Sequence, residues 1–493
     1  MNTARSSSTL LSRILCLAAI FLLWHPLNST AGTYTSSAHG TTGTGVSRAG
    51  LNAETVTNYA TGNCAHCHEQ HASVVGSEPA PTGGPGNYLG MANETGITNA
   101  EQTLCFYCHG TGTASNNEST GTNDDVQTDI DKIVTDETYY SRHNVYYSDT
   151  AHRANETIAQ INANKHVECT DCHNPHAAGN TPHTATGNDT AATVLPVTSP
   201  LYKATGIEPS YTGMDANWGD DTIGYGSYGA MQTATKEYQI CFKCHTKANT
   251  DVQTWGDEET DLAFAWTDVG MEFNPNNKSF HPVVSGLSDA GSGSSGLTTS
   301  QLIAPWNVNV GSQTMYCSDC HASDSAVAGP HGSGTKWMLA GTNKAWPFAI
   351  KTDNGKKAPT TYRTLGTMTD TPGEDGLFCL NCHPDSRSTS INKAHAKSNH
   401  STTACVDCHI RIPHGGRVSR LMAADNNATY TMPARYTSDG AGQNTTGTDE
   451  VPFVKEFIKA ADGTGYSASN CTTSAGCAGG AGHSTTSIGG EYW

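Results

Sequence analysis

The stretch NKHVECTDCHNPHAA, from Asn164 to Ala178, places three histidines and two cysteines within fifteen residues. Cysteine sulfur and histidine nitrogen bind soft and borderline metals, and both hold haem in proteins. At the centre of the stretch is the pattern C-x-x-C-H, which occurs in seven copies along the chain. The cysteine pairs are Cys64 and Cys67, Cys105 and Cys108, Cys169 and Cys172, Cys241 and Cys244, Cys317 and Cys320, Cys379 and Cys382, and Cys405 and Cys408.

This pattern is the attachment signature of c-type haem. Residues three and four apart share one face of a helical turn, so both sulfurs can reach the porphyrin while the next imidazole turns to the iron. The sequence therefore predicts seven covalently bound haem c groups. Their predicted proximal ligands are His68, His109, His173, His245, His321, His383 and His409.

Zinc binding and thiol redox chemistry are the competing interpretations of the cysteine pairs. A structural zinc site would combine two ligand pairs at regular spacing, whereas every pair here is followed at once by histidine and the motifs lie 26 to 76 residues apart. A thioredoxin-like motif would occur once, in a βαβ context that the sequence does not show. The pattern favours haem.

Further histidines recur at fixed places around the motifs and are candidates for the sixth position on each iron. One set trails a motif and the other lies upstream, so every haem can be bis-histidine. The candidates are His39, His71, His143, His176, His281, His331, His395, His400 and His414. His166 is an alternative to His143 or His176. Five other histidines are better interpreted as non-ligands: His66, His152, His183, His483 and, unless it takes that alternative role, His166.

These positions divide the chain into repeat units. We expect a signal peptide over 1–31, two-haem units over 32–140, 141–270 and 271–390, a truncated one-haem unit over 391–420 and a haem-free region over 421–493. A full unit has an upstream histidine, a first motif with a trailing histidine, and a second motif introduced by an apolar residue and cysteine, as in ICFKCH.

CTDCHNPHAA together with ICFKCH resembles the doubled-CxxCH multihaem c-type cytochromes. The serial layout of residues 39 to 420 is further similar to the extracellular, filament-forming (nanowire) cytochromes of metal-reducing microbes. That resemblance implies stacked bis-histidine haems and a homopolymer in which one histidine near a chain end ligates a haem of the neighbouring subunit. By this analogy His39 is the candidate intersubunit ligand.

The elements that must position these residues are expected to be small. Gly, Pro, Ser, Thr and Asn interrupt almost every window, so the sequence predicts a mostly irregular, loop-rich fold with short α-helices organised around the seven haems. We expect little regular sheet and allow some β structure in the haem-free C-terminal region. There, Cys471 and Cys477 lack a following histidine and are predicted to form a local disulfide.

Composition restricts location and partners. Arg5 and Arg13, the apolar run Ile14 to Trp24 and the small residues up to Ala31 have the order of a secretory signal. The run is too short to span a bilayer, so we expect a secreted, extracellular or cell-surface protein without a membrane span when mature, with the periplasm as the alternative. The formal charge of −18 makes nucleic acid a poor partner.

Two classes of function remain open at this point. The first is electron transfer through bis-histidine haems to other redox proteins or extracellular acceptors, either as a filament or as a soluble carrier, without catalytic residues. The second is a multihaem reductase of nitrite, hydroxylamine or a sulfur oxyanion, which needs one five-coordinate haem. All seven motifs end in histidine, and this favours the first class.

Overall fold

The computed structural model describes parts of the chain, mainly around the cysteine motifs. The described residues are 34–47, 59–68, 101–110, 125–133, 141–146, 167–185, 194–212, 226–246, 248, 268–277, 279–287, 297, 299–344, 348–353, 356–362, 377–384, 413–416 and 421.

Helices in the described residues are short. They are α1 (Glu101–His109), α2 (Val126–Ile130), α3 (Cys169–Cys172), α4 (Glu237–Phe242) and α5 (Val269–Glu272). Turns of 3₁₀ helix cover Cys64–His66, Thr299–Gln301, Cys317–Asp319, Lys336–Met338 and Phe378–Asn381. The first cysteine of each described motif lies on one of these elements, so the short helices coincide with the motifs. Within the described parts of the chain, no helix is long and apolar enough to cross a bilayer.

Within the described ranges, the strands form five two-stranded antiparallel sheets. The pairs are β1 (Ser141–Arg142) with β7 (Gly332–Ser333), β2 (Thr205–Gly206) with β5 (Gln232–Thr233), β3 (Pro209–Tyr211) with β4 (Gly226–Tyr228), β6 (Ser279–Phe280) with β10 (Gly415–Gly416), and β8 (Phe348–Asp353) with β9 (Lys356–Tyr362). Two of them, β1 with β7 and β6 with β10, join segments that lie far apart in the sequence. The longest pair, β8 with β9, lies in the third repeat unit. Of the C-terminal region, where we allowed β structure, only residue 421 is described.

Apolar side chains form one main core beside the later motifs. Its buried members are Ile207, Tyr238, Phe242, Phe273, Val283, Leu302, Trp306 and Met315. Cys241, Cys317, Cys320 and Cys382 pack against this cluster. Residues of the second and third predicted units therefore share a core, so those units are not separate folding domains.

Candidate haem sites

Each described C-x-x-C-H motif closes on itself through a backbone hydrogen bond. The N–H of the motif histidine donates to the carbonyl of the first cysteine, four residues earlier, at 2.8 Å for His68, 2.9 Å for His173 and His321, and 3.0 Å for His245 and His383. This is one α-helical turn, and it places the two cysteines and the histidine on one side of the motif. We number sites 1 to 7 by the order of their motifs.

An aspartate inside the motif supports this turn at two sites. The backbone N–H of Glu168 donates to Oδ2 of Asp171 at 2.8 Å, and that of Tyr316 donates to Oδ2 of Asp319 at 2.7 Å. Each carboxylate satisfies a donor at the start of the turn that no helical carbonyl can reach. The aspartate of the C-x-D-C sequence therefore has a local structural role as the acceptor for this backbone N–H.

Every described motif histidine faces one of the candidate distal histidines. The separations of ring centres lie between 5.9 and 6.5 Å. The facing pairs are His68 with His176 at site 1, His109 with His39 at site 2, His173 with His331 at site 3, His245 with His143 at site 4, His321 with His414 at site 5 and His383 with His281 at site 6.

This separation suits two imidazoles that share one metal ion. An imidazole nitrogen binds a metal at about 2 Å, and the ring centre lies about 1 Å further back, so ligands on opposite sides have ring centres roughly 6 Å apart. Aromatic pairs in ordinary cores span a wider range. The narrow spread over six separate pairs favours shared metal coordination.

The ring nitrogen Nδ1 of several of these histidines is already occupied by a backbone carbonyl. In each case Nδ1–H donates to a carbonyl oxygen. The acceptors are Pro175 for His39, Pro330 for His143, Pro200 for His173, Pro413 for His281, Trp337 for His321 and Gln301 for His383. Such a bond fixes the ring and its tautomer, and it leaves Nε2 for a metal. The six rings are therefore oriented as metal ligands are.

Distal ligands of neighbouring sites are brought together by a repeated backbone crossing. His143 N–H donates to the carbonyl of His331 at 3.1 Å, and its Nδ1 contacts the oxygen of Pro330 at 2.6 Å. The β1–β7 pair continues this crossing. An upstream histidine thus lies antiparallel to a Pro-His segment of a later unit.

The same crossing occurs twice more. His281 N–H donates to the carbonyl of His414 at 2.9 Å, next to the β6–β10 pair. At the N-terminal end, Ala38 N–H donates to Ala178 O at 2.8 Å, and Nδ1 of His39 contacts Pro175 O at 3.1 Å. Each crossing supplies one distal histidine to each of two consecutive sites.

Two histidines that the sequence analysis set aside differ from these ligands. Nε2 of His66 contacts Ala60 O at 3.1 Å, and Nε2 of His183 contacts Asp319 Oδ1 at 3.1 Å. His183 also stacks on Tyr316, with 3.6 Å between ring centres. Both rings use Nε2, the nitrogen that the six rings held through Nδ1 leave for a metal.

Burial keeps several candidate ligands uncharged. It lowers the pKa of His245 and His331 to about 3, and the pKa of His281 and His321 to about 4, with neighbouring histidines adding to the effect. Water solvates an imidazolium better than these surroundings do. At neutral pH these rings are therefore neutral, which is the form that binds metal.

Two glutamates, the half-buried Glu101 and the buried Glu237, join motifs of consecutive units. Glu101, the first residue of α1, accepts hydrogen bonds from Thr170 at 2.8 Å to N–H and 2.6 Å to Oγ–H. Glu237, the first residue of α4, accepts the same two bonds from Ser318, both at 2.8 Å. Burial raises the pKa of Glu237, while the bonds from Ser318 act in the opposite direction. We call these contacts the glutamate clasps; they tie site 2 to site 3 and site 4 to site 5.

The clasps bring cysteines of different sites together. The ligand atoms of Glu101, Cys105 and Cys169 lie within 4.8 Å of one another, as do those of Glu237, Cys241 and Cys317. Carboxylate and thiol groups at this distance could hold a metal ion, but each of these cysteines belongs to a C-x-x-C-H motif. None of the twelve described cysteines forms a disulfide, so all are available for thioether attachment.

Several predicted site residues lie outside the described residues. They are Cys405, Cys408 and His409 of site 7, the distal candidates His71, His395 and His400, and the predicted disulfide Cys471–Cys477. His166, the alternative distal ligand, is also outside them. The pairs at sites 3 and 4 involve His331 and His143, and that at site 1 involves His176, so the described sites have partners without His166.

His39 has a partner in its own chain. Its ring lies 6.2 Å from that of His109, and Nδ1 is held by Pro175. Within one chain, His39 is therefore the facing histidine of site 2.

Sequence reasoning missed the residues around the ligands. The prolines that precede His176, His331 and His414 were visible as a repeated Pro-His pair and could have been recognised as part of the crossings. The clasp glutamates lie four residues before Cys105 and Cys241, another visible regularity. Glu272, whose carboxylate contacts His414, ends the segment DVGME, and Asp129 ends the similar segment DVQTD, so this repeat was visible as well.

Comparisons with protein-family models, with curated proteins and with solved structures found no match to this chain.

Proposed function

We propose that this protein is an exported heptahaem c-type cytochrome that carries electrons over a long distance through a line of bis-histidine haems. The observation that carries the proposal is the set of six facing histidine pairs, each joining a C-x-x-C-H motif to a histidine elsewhere in the chain. Two thiols and two imidazoles per site form a donor set that fits bis-histidine haem c.

In each site, the paired cysteines would attach the porphyrin and the two facing histidines would hold the iron. Haem c supplies reversible one-electron exchange when it is bound there. The chain's own part is to close both axial positions with imidazole, to keep those rings neutral and to orient them through Nδ1. Closed axial positions favour electron exchange over the binding of a substrate.

Contact between consecutive motifs supports a continuous path. The two clasps hold site 2 against site 3 and site 4 against site 5, and each crossing connects the distal ligands of sites 1 and 2, 3 and 4, or 5 and 6. Alternating clasps and crossings thus link the six described sites in the order of their motifs.

The reductase alternative is weaker on these grounds. A substrate site needs an iron with one open axial position, whereas each of the six described motif histidines has a facing histidine. Site 7 lies outside the described residues and is the one place where such a site would have to be.

Mass spectrometry and electron paramagnetic resonance (EPR) of the purified holoprotein test the proposal: we expect seven haems, low-spin signals and no turnover of nitrite, hydroxylamine or sulfite. High-spin haem with turnover would support the alternative.

The order of the ligands supports the filament rather than the soluble carrier. At sites 1, 3 and 5 the facing histidine trails the first motif of the following unit, as His176, His331 and His414 do. Site 7 opens the fourth unit, and no later motif occurs in residues 421–493. Conversely, His71 trails the first motif, and residues 1–63 contain no motif that it could serve.

Two copies joined head to tail give site 7 a facing histidine and give His71 a site to serve. We propose that His71 of one copy ligates site 7 of the next, which makes each copy both donor and acceptor and permits open-ended growth. The partner is thus a second copy of this chain, with His71 rather than His39 as the joining ligand. The exported location and external acceptors remain part of the same proposal.

Three matched variants test this polymer. His71→Ala should abolish filaments in negative-stain images and leave one haem in seven high-spin. His395→Ala and His400→Ala, which alter the other candidates for site 7, should leave filaments and spectra unchanged. If either of these two creates the high-spin haem while His71→Ala does not, site 7 is closed within one chain and the soluble carrier becomes the better description.

A further inference from the structure

One candidate ligand differs from the others in what its Nδ1 contacts. In six described rings Nδ1 contacts a backbone carbonyl, whereas Nδ1 of His414 contacts Oε2 of Glu272 at 2.7 Å. The Glu272 side chain is only 2% exposed. A buried carboxylate therefore lies directly behind the distal ligand of site 5.

The position of Glu272 is fixed by its surroundings. It ends α5, whose start is capped by Asp268, and its carbonyl accepts a hydrogen bond from Asn277 Nδ2 at 2.7 Å. Gly415, next to His414, approaches so closely that a Cβ there would lie 1.9 Å from the Glu272 carbonyl oxygen. Only glycine permits this approach, so the backbone itself presses the His414 segment against Glu272.

The equivalent histidine at site 3 provides an internal contrast. His331 occupies the same place in its repeat as His414, yet its Nδ1 is buried without a hydrogen-bond partner among the described residues. Sites 3 and 5 thus have the same pair of axial residues and the same crossing. They differ in what the adjacent carboxylate binds. Asp129 lies beside Gly332 as Glu272 lies beside Gly415, but its carboxylate accepts hydrogen bonds from Lys132 and Ser325 and not from the histidine ring.

A carboxylate behind an imidazole has a defined effect on a bound metal. It draws the Nδ1 proton toward itself, which makes Nε2 a stronger electron donor, and it places a negative charge near the metal in a poorly solvated region. Both effects favour the more positive oxidation state of the metal. Hydrogen bonding behind the ligand is one of the means by which proteins set haem potentials.

We infer that Glu272 lowers the reduction potential of site 5 relative to its neighbours and so sets an uphill step within the electron path. This inference rests on the proposed function, because it requires haem at site 5. Site 5 lies between the clasp to site 4 and the crossing to site 6. Electrons that pass along the path in either direction meet this step, and Glu272 thereby controls their rate.

The test is a redox titration of the holoprotein followed by EPR, with Glu272→Gln as the variant. Glutamine keeps an oxygen that can accept the Nδ1 proton and removes the charge. We expect one low-spin component to titrate at a potential higher by about 59 mV, a tenfold change in its one-electron equilibrium, with a change in the g-values of that component alone.

Glu237→Gln is the matched control. Glu237 is another buried glutamate next to site 5, but its contacts are with Ser318 and not with a histidine ring. Its replacement removes the same charge and should leave the g-values unchanged. Glu272→Asp keeps the charge and should retain the low potential. It provides a second variant in case Glu272→Gln does not fold.

The outcomes separate this inference from the proposed function. If Glu272→Gln leaves every potential and g-value in place while the haems stay low-spin, Glu272 does not tune site 5 and the electron-transfer proposal stands. If His414→Ala creates no high-spin haem, the assignment of His414 to site 5 is wrong, and the pairing on which the proposed function depends fails with it.

Discussion

The imidazole rings of His68 and His176 face each other at 5.9 Å, with 22° between their planes, although the two residues belong to different repeat units. The separation matches two ligands of one metal ion. Site 1 is thus completed by the second unit, and the same interlocking recurs at sites 3 and 5. At each of these three described first sites, the facing histidine comes from the following unit.

We predict that His176→Ala opens site 1 and no other site. The alanine removes one axial nitrogen, so one haem in seven should become high-spin, visible by EPR and resonance Raman spectroscopy. His66→Ala is the matched control, because His66 lies beside the same motif but uses Nε2 for Ala60. A spectrum that stays fully low-spin in His176→Ala would contradict the pairing.

The motif positions and the set of ligands could be predicted from the sequence, but the pairing of ligands could not. The i to i+4 relation inside C-x-x-C-H is local, and the turn follows from it. The pairing of His68 with His176, or of His173 with His331, depends on contacts between distant segments. Those contacts are made by crossings such as β1 with β7, whose two-residue strands leave no periodic signal in the sequence.

Short sheets escaped prediction for a related reason. Strands such as Ser141–Arg142 and Gly415–Gly416 lack β-branched or aromatic residues and pair only because a histidine ligand lies next to each. The shared core of the second and third units was likewise hidden, since its members come from separate loops. Expected unit boundaries therefore describe the repeat of the sequence better than they describe the packing.

We predict that Glu237→Ala weakens the junction between sites 4 and 5. The variant leaves the N–H and Oγ–H of Ser318 without their acceptor in a buried place, at a cost of about 1–3 kcal/mol in unfolding free energy. Denaturant unfolding measures it. Ser318→Ala removes one of the two bonds and should cost less. Equal stability of Glu237→Ala and the parent protein would show that the clasp is not a structural tie.

We predict a comparable loss of unfolding free energy for Lys132→Met. Lys132 Nζ lies 2.7 Å from both Asp129 and Asp324, and Asp129 is fully buried. Removal of the ammonium leaves that carboxylate with the hydrogen bond from Ser325 but without a cation, which should lower the unfolding free energy by about 3 kcal/mol. A double variant that also carries Asp129→Asn should recover part of the loss, and failure to recover any would contradict the pair.

The same contact should give a defined pH dependence. Burial raises the pKa of Asp324, but the hydrogen bond and charge of Lys132 outweigh burial, and the net pKa lies below its model-peptide value of 3.8. A folded-state pKa below the unfolded one means that the stabilisation is present above about pH 4 and is lost as the pH falls through the folded value. Unfolding free energies of the parent and of Asp324→Asn should converge in that range, and a constant difference would contradict the assignment.

We predict that loss of haem attachment at site 4 disturbs the main core. Cys241 packs against the cluster that contains Phe242 and Phe273, so Cys241→Ala with Cys244→Ala should lower the bound haem count from seven to six and reduce the unfolding midpoint. The same pair of changes at Cys64 and Cys67, which are not among the residues packed on that cluster, is the control. Equal effects at the two sites would contradict a special role for the core at site 4.

The central claim is that both axial positions of each iron are closed by histidine. EPR of the oxidised, purified holoprotein at low temperature, with spins counted against the haem content from mass spectrometry, tests it most directly. The account predicts seven haems per chain, all low-spin in the polymer, and six of seven low-spin in His71→Ala. A parent protein with several high-spin haems, or with no haem on the C-x-x-C-H cysteines, would contradict it.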